Sequence, residues 1–204
     1  MSASPSRAED PLSREAVAAA LAEVLLTSED AAALEVYGRV ESAVLVLLFI
    51  RGDELHVVLT RRRDDLRRHA GEVSFPGGRR DDIDDDLCAT ALREAHEEIG
   101  IPPAAVELVG ALQPTPTIAT NYAVHPFVGL VEPGFAWEPS EREVAEVLEL
   151  SLADLRAGHG RRCMLRLGVP FRTDVYVVGE TLIWGATARI LADLLDRVPA
   201  GFGR

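Results

Sequence analysis

The chain has 204 residues, is 48% apolar and 26% charged, and sets 33 acidic side chains against 21 cationic ones, for a formal charge of -12. That length supports one well-cored domain without disulfide staples, and the apolar fraction excludes wholesale disorder. Such acidity argues against a nucleic-acid coat or an anionic-membrane binder, both of which need a basic footprint.

Residues 1–10 are small and polar, lack the apolar core of a secretory signal and are expected to be flexible. Asp10-Pro11 reads as an N-cap followed by proline, which predicts a helix over 11–26. After a polar break, 42–50 and 55–60 are rich in β-formers and joined by Arg51-Gly52-Asp53-Glu54, a hairpin signal. The longest apolar run, 43–50, is far below the roughly 20 residues of a membrane span. A helix is predicted over 87–99, with Leu87, Ala91 and Ala95 as an i, i+4, i+8 stripe and Gly100 as its stop. Strands are predicted at 106–112 and 122–131 around a Pro/Thr loop, and at 144–150, followed by a Ser-capped helix over 151–156. A hairpin over 174–183 turns at Gly179-Glu180, and a final helix covers 186–197. Cys88 and Cys163 lack metal-like spacing, and Cys88 reads as a buried small hydrophobe. The irregular alternation of strands and helices favours an α+β class, with a mixed sheet sandwiched between helices in a single domain over 1–204 whose core spans about 38–200. A cytoplasmic location is the default expectation.

The charge is ordered along the chain. Residues 61–80 hold seven Arg and three acids, whereas 81–98 hold eight acids and one Arg. Within the acidic block Glu94, Glu97 and Glu98 stand at i, i+3 and i+4 on one helix face, where they repel unless they share a divalent cation; hard oxygen ligands suit Mg²⁺ or Mn²⁺. The competing reading is a solvated acidic face. Arg93 can reach a neighbouring carboxylate. Upstream, Ser74-Phe75-Pro76-Gly77-Gly78 ends a strand in a Gly-Gly turn, whose backbone amides can approach an anion. An anion-binding loop feeding a carboxylate helix is a layout for displacement at phosphorus. His96, His69 and His125 read as surface or packing residues. Tyr122 and Trp184 also read as packing residues, with stacking on adenine as the alternative.

Arg93 through Ile101 resembles the second half of the Nudix box, Arg-Glu-U-x-Glu-Glu-x-Gly-U with U apolar. The resemblance implies a Nudix fold and hydrolysis of a nucleoside diphosphate linked to another group. It also implies Glu94, Glu97 and Glu98 as metal ligands, and Arg93 as the residue that orients a glutamate. Counting back, the first acidic slot of the box falls on Asp85 and the Gly slot on Arg79, one residue beyond Gly78, so Asp84, Asp85 and Asp86 all remain candidates for that acid. Asp84 or Asp86 could equally cap the helix.

Residues 59–78 are similar to the signature of coenzyme A pyrophosphatases, matching at Leu59, Thr60, Arg62, Arg67, Gly71, Phe75, Pro76, Gly77 and Gly78, with Arg63 in place of a small residue. This implies cleavage of CoA or its thioesters to 3′,5′-ADP and 4′-phosphopantetheine, with Arg62 and Arg67 as phosphate-binding residues and Gly71, Phe75, Gly77 and Gly78 in the substrate site. Alternatives are another nucleoside diphosphate derivative, such as ADP-ribose or NADH, and an inactive ligand-sensing module. A carboxylate must take the proton from the attacking water; Glu143, Glu146 and Glu98 are the candidates. Partners are expected to be small molecules only, without nucleic acid or membrane, for a monomer or homodimer.

Overall fold

The computed structural model describes residues 12–63, 71–117, 121–166 and 169–202. Asp10-Pro11, Arg67 and His69 lie outside them. The first helix, α1 (Arg14–Val24), starts later than the Asp-Pro signal predicts, because Ser13 is the N-cap and accepts the Ala16 amide. Val17 and Leu21 fix its buried face. A second helix, α2 (Ser28–Ala33), occupies what reads in the sequence as a polar break, with Thr27 as its N-cap.

The central sheet is built on β1 (Val40–Arg51), which forms the expected hairpin with β2 (Glu54–Arg62). Two short strands follow, β3 (Val73–Ser74) and β4 (Gly77–Arg79). Helix α3 (Leu87–Ile99) comes next and ends at Gly100, whose φ of 76° is the left-handed cap that the sequence predicts. Then come β5 (Glu107–Ala111), β6 (Thr115–Pro116), β7 (Tyr122–Leu130) and β8 (Val144–Ser151). The strand path is β3-β2-β1-β7-β5, with β4 on β1, β6 on β7 and β8 on β2. The β1–β7 pair is parallel from Val40↔Tyr122 to Leu48↔Leu130, so this sheet is mixed.

Both faces of β1 are covered, which explains its unbroken apolar run. Val46 and Leu48 face a core shared with α1, α4 (Leu152–Ala157) and α5 (Gly185–Arg197). Ala43, Leu45, Leu47 and Phe49 face Ala31 of α2 and Ala91, Ala95 and Ile99 of α3. The predicted sandwich of a mixed sheet between helices is the observed architecture. One element departs from it: β9 (His159–Arg166), β10 (Val169–Val178) and β11 (Thr181–Ile183) form a separate three-stranded antiparallel sheet. Only its β10–β11 hairpin is visible in the sequence. No helix among the described residues is long and apolar enough to cross a membrane.

Candidate active site

The site forms where β4 and α3 meet on β1. Gly77 and Gly78 pair antiparallel with Val44 and Ala43, which lays the Gly-Gly strand beside the helix. The fit is tight enough that a methyl group on Gly78 would overlap the Glu94 carboxylate. The Gly77 amide donates to Glu98 Oε2 at 3.3 Å.

The three glutamates share one side of α3 but not one environment. Glu98 is buried, Glu94 is half-buried and Glu97 is exposed. Burial pushes the Glu98 carboxyl up to about 8, against the Gly77 hydrogen bond and the Arg62 charge, which pull it down. Burial also raises Glu94, with Arg93 opposing.

Arg93 is the hub of the site. It donates through Nε to Asp84 Oδ1 at 2.8 Å, and through Nη2 to Asp84 Oδ2 at 3.0 Å, Glu94 Oε1 at 3.0 Å and the Arg79 carbonyl at 3.2 Å. Its Nη1 donates to Glu97 Oε1 at 3.2 Å. The guanidinium holds the buried Asp84 carboxyl well below the usual carboxylate range. Asp84 also accepts the Thr90 hydroxyl and the Asp81 amide. Asp86 instead caps α3 by accepting the Ala89 amide at 2.7 Å. The count from Arg93 selects Asp85; the acid that meets Arg93 is Asp84, while Arg80 binds the Asp85 carbonyl.

Arg62 lies between two acids, 4.0 Å from Glu98 Oε1 and 3.5 Å from Glu143 Oε2. Glu143 is carried there by a loop that docks on the carbonyl end of α3: Glu138 and Ser140 donate their amides to the Ile99 and Glu98 carbonyls. The Arg63 amide then bonds the Glu143 carbonyl at 3.1 Å. Sequence spacing carries no sign of this docking. Glu146 is engaged elsewhere, 3.1 Å from Arg61, whose guanidinium also donates to Thr181. Phe75 is 2% exposed and packs in the core shared with α1, α4 and α5. Gly71 is partly exposed, with a φ of 69°. Tyr122 packs against the core, and His96 is exposed on α3.

Among the described residues, no three acidic, His or Cys side chains are already gathered tightly enough to hold an ion, and Arg93 spans Glu94 and Glu97. The donor set nonetheless fits a hard divalent cation. It is all carboxylate oxygen, and a cation would offset the burial of Glu98, which Arg62 approaches only to 4.0 Å, and of Glu94, which shares the Arg93 guanidinium with Asp84 and Glu97.

Comparison with known proteins identifies the family. Residues 40–167 match the family model described as the NUDIX domain. Relatives from Salmonella paratyphi B and Salmonella newport, each named "Uncharacterized Nudix hydrolase NudL", are 40% identical over 165 residues, covering 76% of this chain and 80% of theirs. Among solved structures, a MutT/nudix family protein from Enterococcus faecalis superposes with a TM-score of 0.50 at 14% identity, covering 92% of this chain and 74% of that one, a likeness of fold alone. The chain therefore belongs to the NUDIX family and is a Nudix hydrolase, acting on the diphosphate linkage of nucleoside diphosphate derivatives.

Proposed function

We propose that the chain is a metal-dependent pyrophosphatase of coenzyme A or its thioesters. The observation that carries the reading is the meeting of Glu94 and Glu98 with the Gly77-Gly78 strand and Arg62 in one place. The match of residues 59–78 to the CoA pyrophosphatase signature supplies the substrate class.

In this reading Glu94, Glu97 and Glu98 hold Mg²⁺ or Mn²⁺, which when bound neutralises diphosphate charge and polarises phosphorus. Arg62 leaves its carboxylates to take a phosphate oxygen, a role its planar fork of donors suits. Arg67 is proposed as a second phosphate contact. Arg93, anchored on Asp84, keeps Glu94 and Glu97 in position rather than touching substrate. Glu143, exposed beside Arg62, takes the proton from the attacking water; Glu146, paired with Arg61, is the weaker candidate. Gly77 and Gly78 leave room for the carboxylates and for close approach of the diphosphate to the backbone. Gly71 and Phe75 shape the loop that carries these groups.

The test is incubation with CoA and Mg²⁺ followed by identification of products. The expected result is 3′,5′-ADP with 4′-phosphopantetheine, lost in Glu94→Gln. Turnover of ADP-ribose or NADH as efficient as that of CoA would move the assignment to a different nucleoside diphosphate derivative. Binding without any turnover would make the chain a ligand-sensing module.

A further inference from the structure

We propose that a cavity between α2 and the first turn of α3 is a second binding site, for a small organic amine. The cavity is about 580 Å³ and lies over the N-terminal ends of β1 and β7, a volume within the range of small-molecule sites. Its α3 residues are Asp86, Leu87 and Cys88, and Glu94 begins about two helical turns further on, roughly 10 Å along the axis. It is therefore not the carboxylate site.

His125 and Phe127, two residues apart on β7, line it together. His125 is only 7% exposed, and its Nδ1 has no hydrogen-bond partner among the described residues. A buried polar atom left unpaired is uncommon and costs free energy. His125 lines the cavity, so a polar group seated there lies against its ring. Burial lowers the imidazole pKa from its ordinary value, against the Glu41 charge, and so favours the neutral ring, which offers one nitrogen as an acceptor for a donor head group.

The charges around the cavity select the sign of that head group. Among the described residues, Glu29, Glu41 and Asp86 line it against one cation, Arg80. Arg80 is already engaged by Glu41 at 3.1 Å and by the Asp85 carbonyl at 3.3 Å. Three carboxylates facing one paired guanidinium disfavour an anion and attract an ammonium group. The remaining walls, including Leu34, Val36 and Leu87, suit an apolar body.

The test uses 2-phenylethylamine, with 3-phenylpropanoate and 2-phenylethanol as the matched anion and neutral probe. Each is titrated into the ¹⁵N-labelled full chain, following the imidazole resonances of His125 assigned with His125→Gln. The amine is expected to shift the His125 resonances and to bind at least about tenfold more tightly than either matched probe. Ala32→Trp, which sets an indole across the opening from an exposed position, is expected to abolish the shift. Leu34→Trp on the same rim serves as an independent block. Equal affinity for the alcohol or the carboxylate overturns the ligand class. A silent His125, or amine binding unchanged in both tryptophan variants, overturns the site.

Discussion

Arg93 and Asp84, nine residues apart, form a two-pronged ion pair in which each carboxylate oxygen of Asp84 receives its own N–H, at 2.8 and 3.0 Å. One partner is buried and the other is 21% exposed. The pair therefore costs more to break than a surface salt bridge. It closes the 79–86 loop onto the helix that carries the glutamates.

Asp84→Asn is expected to lower unfolding stability by about 2 to 3 kcal/mol at neutral pH, read as a drop in urea midpoint with an unchanged m-value. Because the folded-state pKa of Asp84 is depressed below its ordinary 3.8, this contribution is present above that value and is lost as the pH falls towards the folded pKa. The gap between wild type and variant should shrink steadily on acidification below about pH 4. A gap that stays constant down to acid unfolding contradicts the pairing.

Glu98 has the opposite sign. Burial raises its carboxyl from 4.5 to about 8, so between those values the folded chain retains a proton that the unfolded chain has released. In the absence of divalent cations its contribution to stability falls as pH rises through that interval. Glu98→Gln is expected to flatten this part of the stability–pH profile measured in EDTA. With Mg²⁺ added at pH 8, the thermal midpoint should rise more for wild type than for Glu98→Gln.

Gly78→Ala tests the approach of strand to helix. The added methyl group cannot coexist with the Glu94 carboxylate in its present place, and Glu94 must move. Turnover is expected to drop about a hundredfold, the scale on which a shift of about 1 Å in a catalytic group acts. The far-ultraviolet circular dichroism should be unchanged. Retained turnover would show that the position of Glu94 is not required.

Glu143→Gln and Glu146→Gln separate the two candidate bases that lie outside the helix. The first faces Arg62 and the glutamates, and should lower kcat by about a hundredfold with little effect on KM. The second pairs with Arg61, away from Glu98, and should leave kcat within about twofold while lowering the thermal midpoint slightly. The reverse ranking would assign the proton transfer to Glu146.

Strong local signals made much of this architecture legible in the sequence. The β1–β2 hairpin, α3 with its Gly100 cap and α5 all follow from periodicity and punctuation, because one face or both faces of each are buried. The segment 159–166 is Arg-rich with its apolar residues, Cys163, Met164 and Leu165, bunched together, so β9 carries no apolar alternation and is defined by pairing with β10. Helix α2 is six residues long, too short for a period to show, although Thr27 and Asp30 form a capping signal. At the site, helical spacing places Glu94, Glu97 and Glu98 on one face. Their different burial comes from β4 and from the 138–143 loop, which are remote in sequence from one another. Counting residues selects Asp85 because it assumes a loop of fixed length. Which acid faces Arg93 depends on how that loop turns, and Asp84 does so by accepting its own turn's amide at Asp81.

That turn bears on how the chain tolerates insertion and deletion. The glutamates are placed by the helix and by Gly77 and Gly78, whereas the segment between them is tethered through side chains at Arg93. A residue gained or lost between Asp84 and the start of the helix changes which acid is presented to the guanidinium without displacing the helix. The spacing of this motif is thus free to drift by a residue over descent, provided that one carboxylate still reaches Arg93.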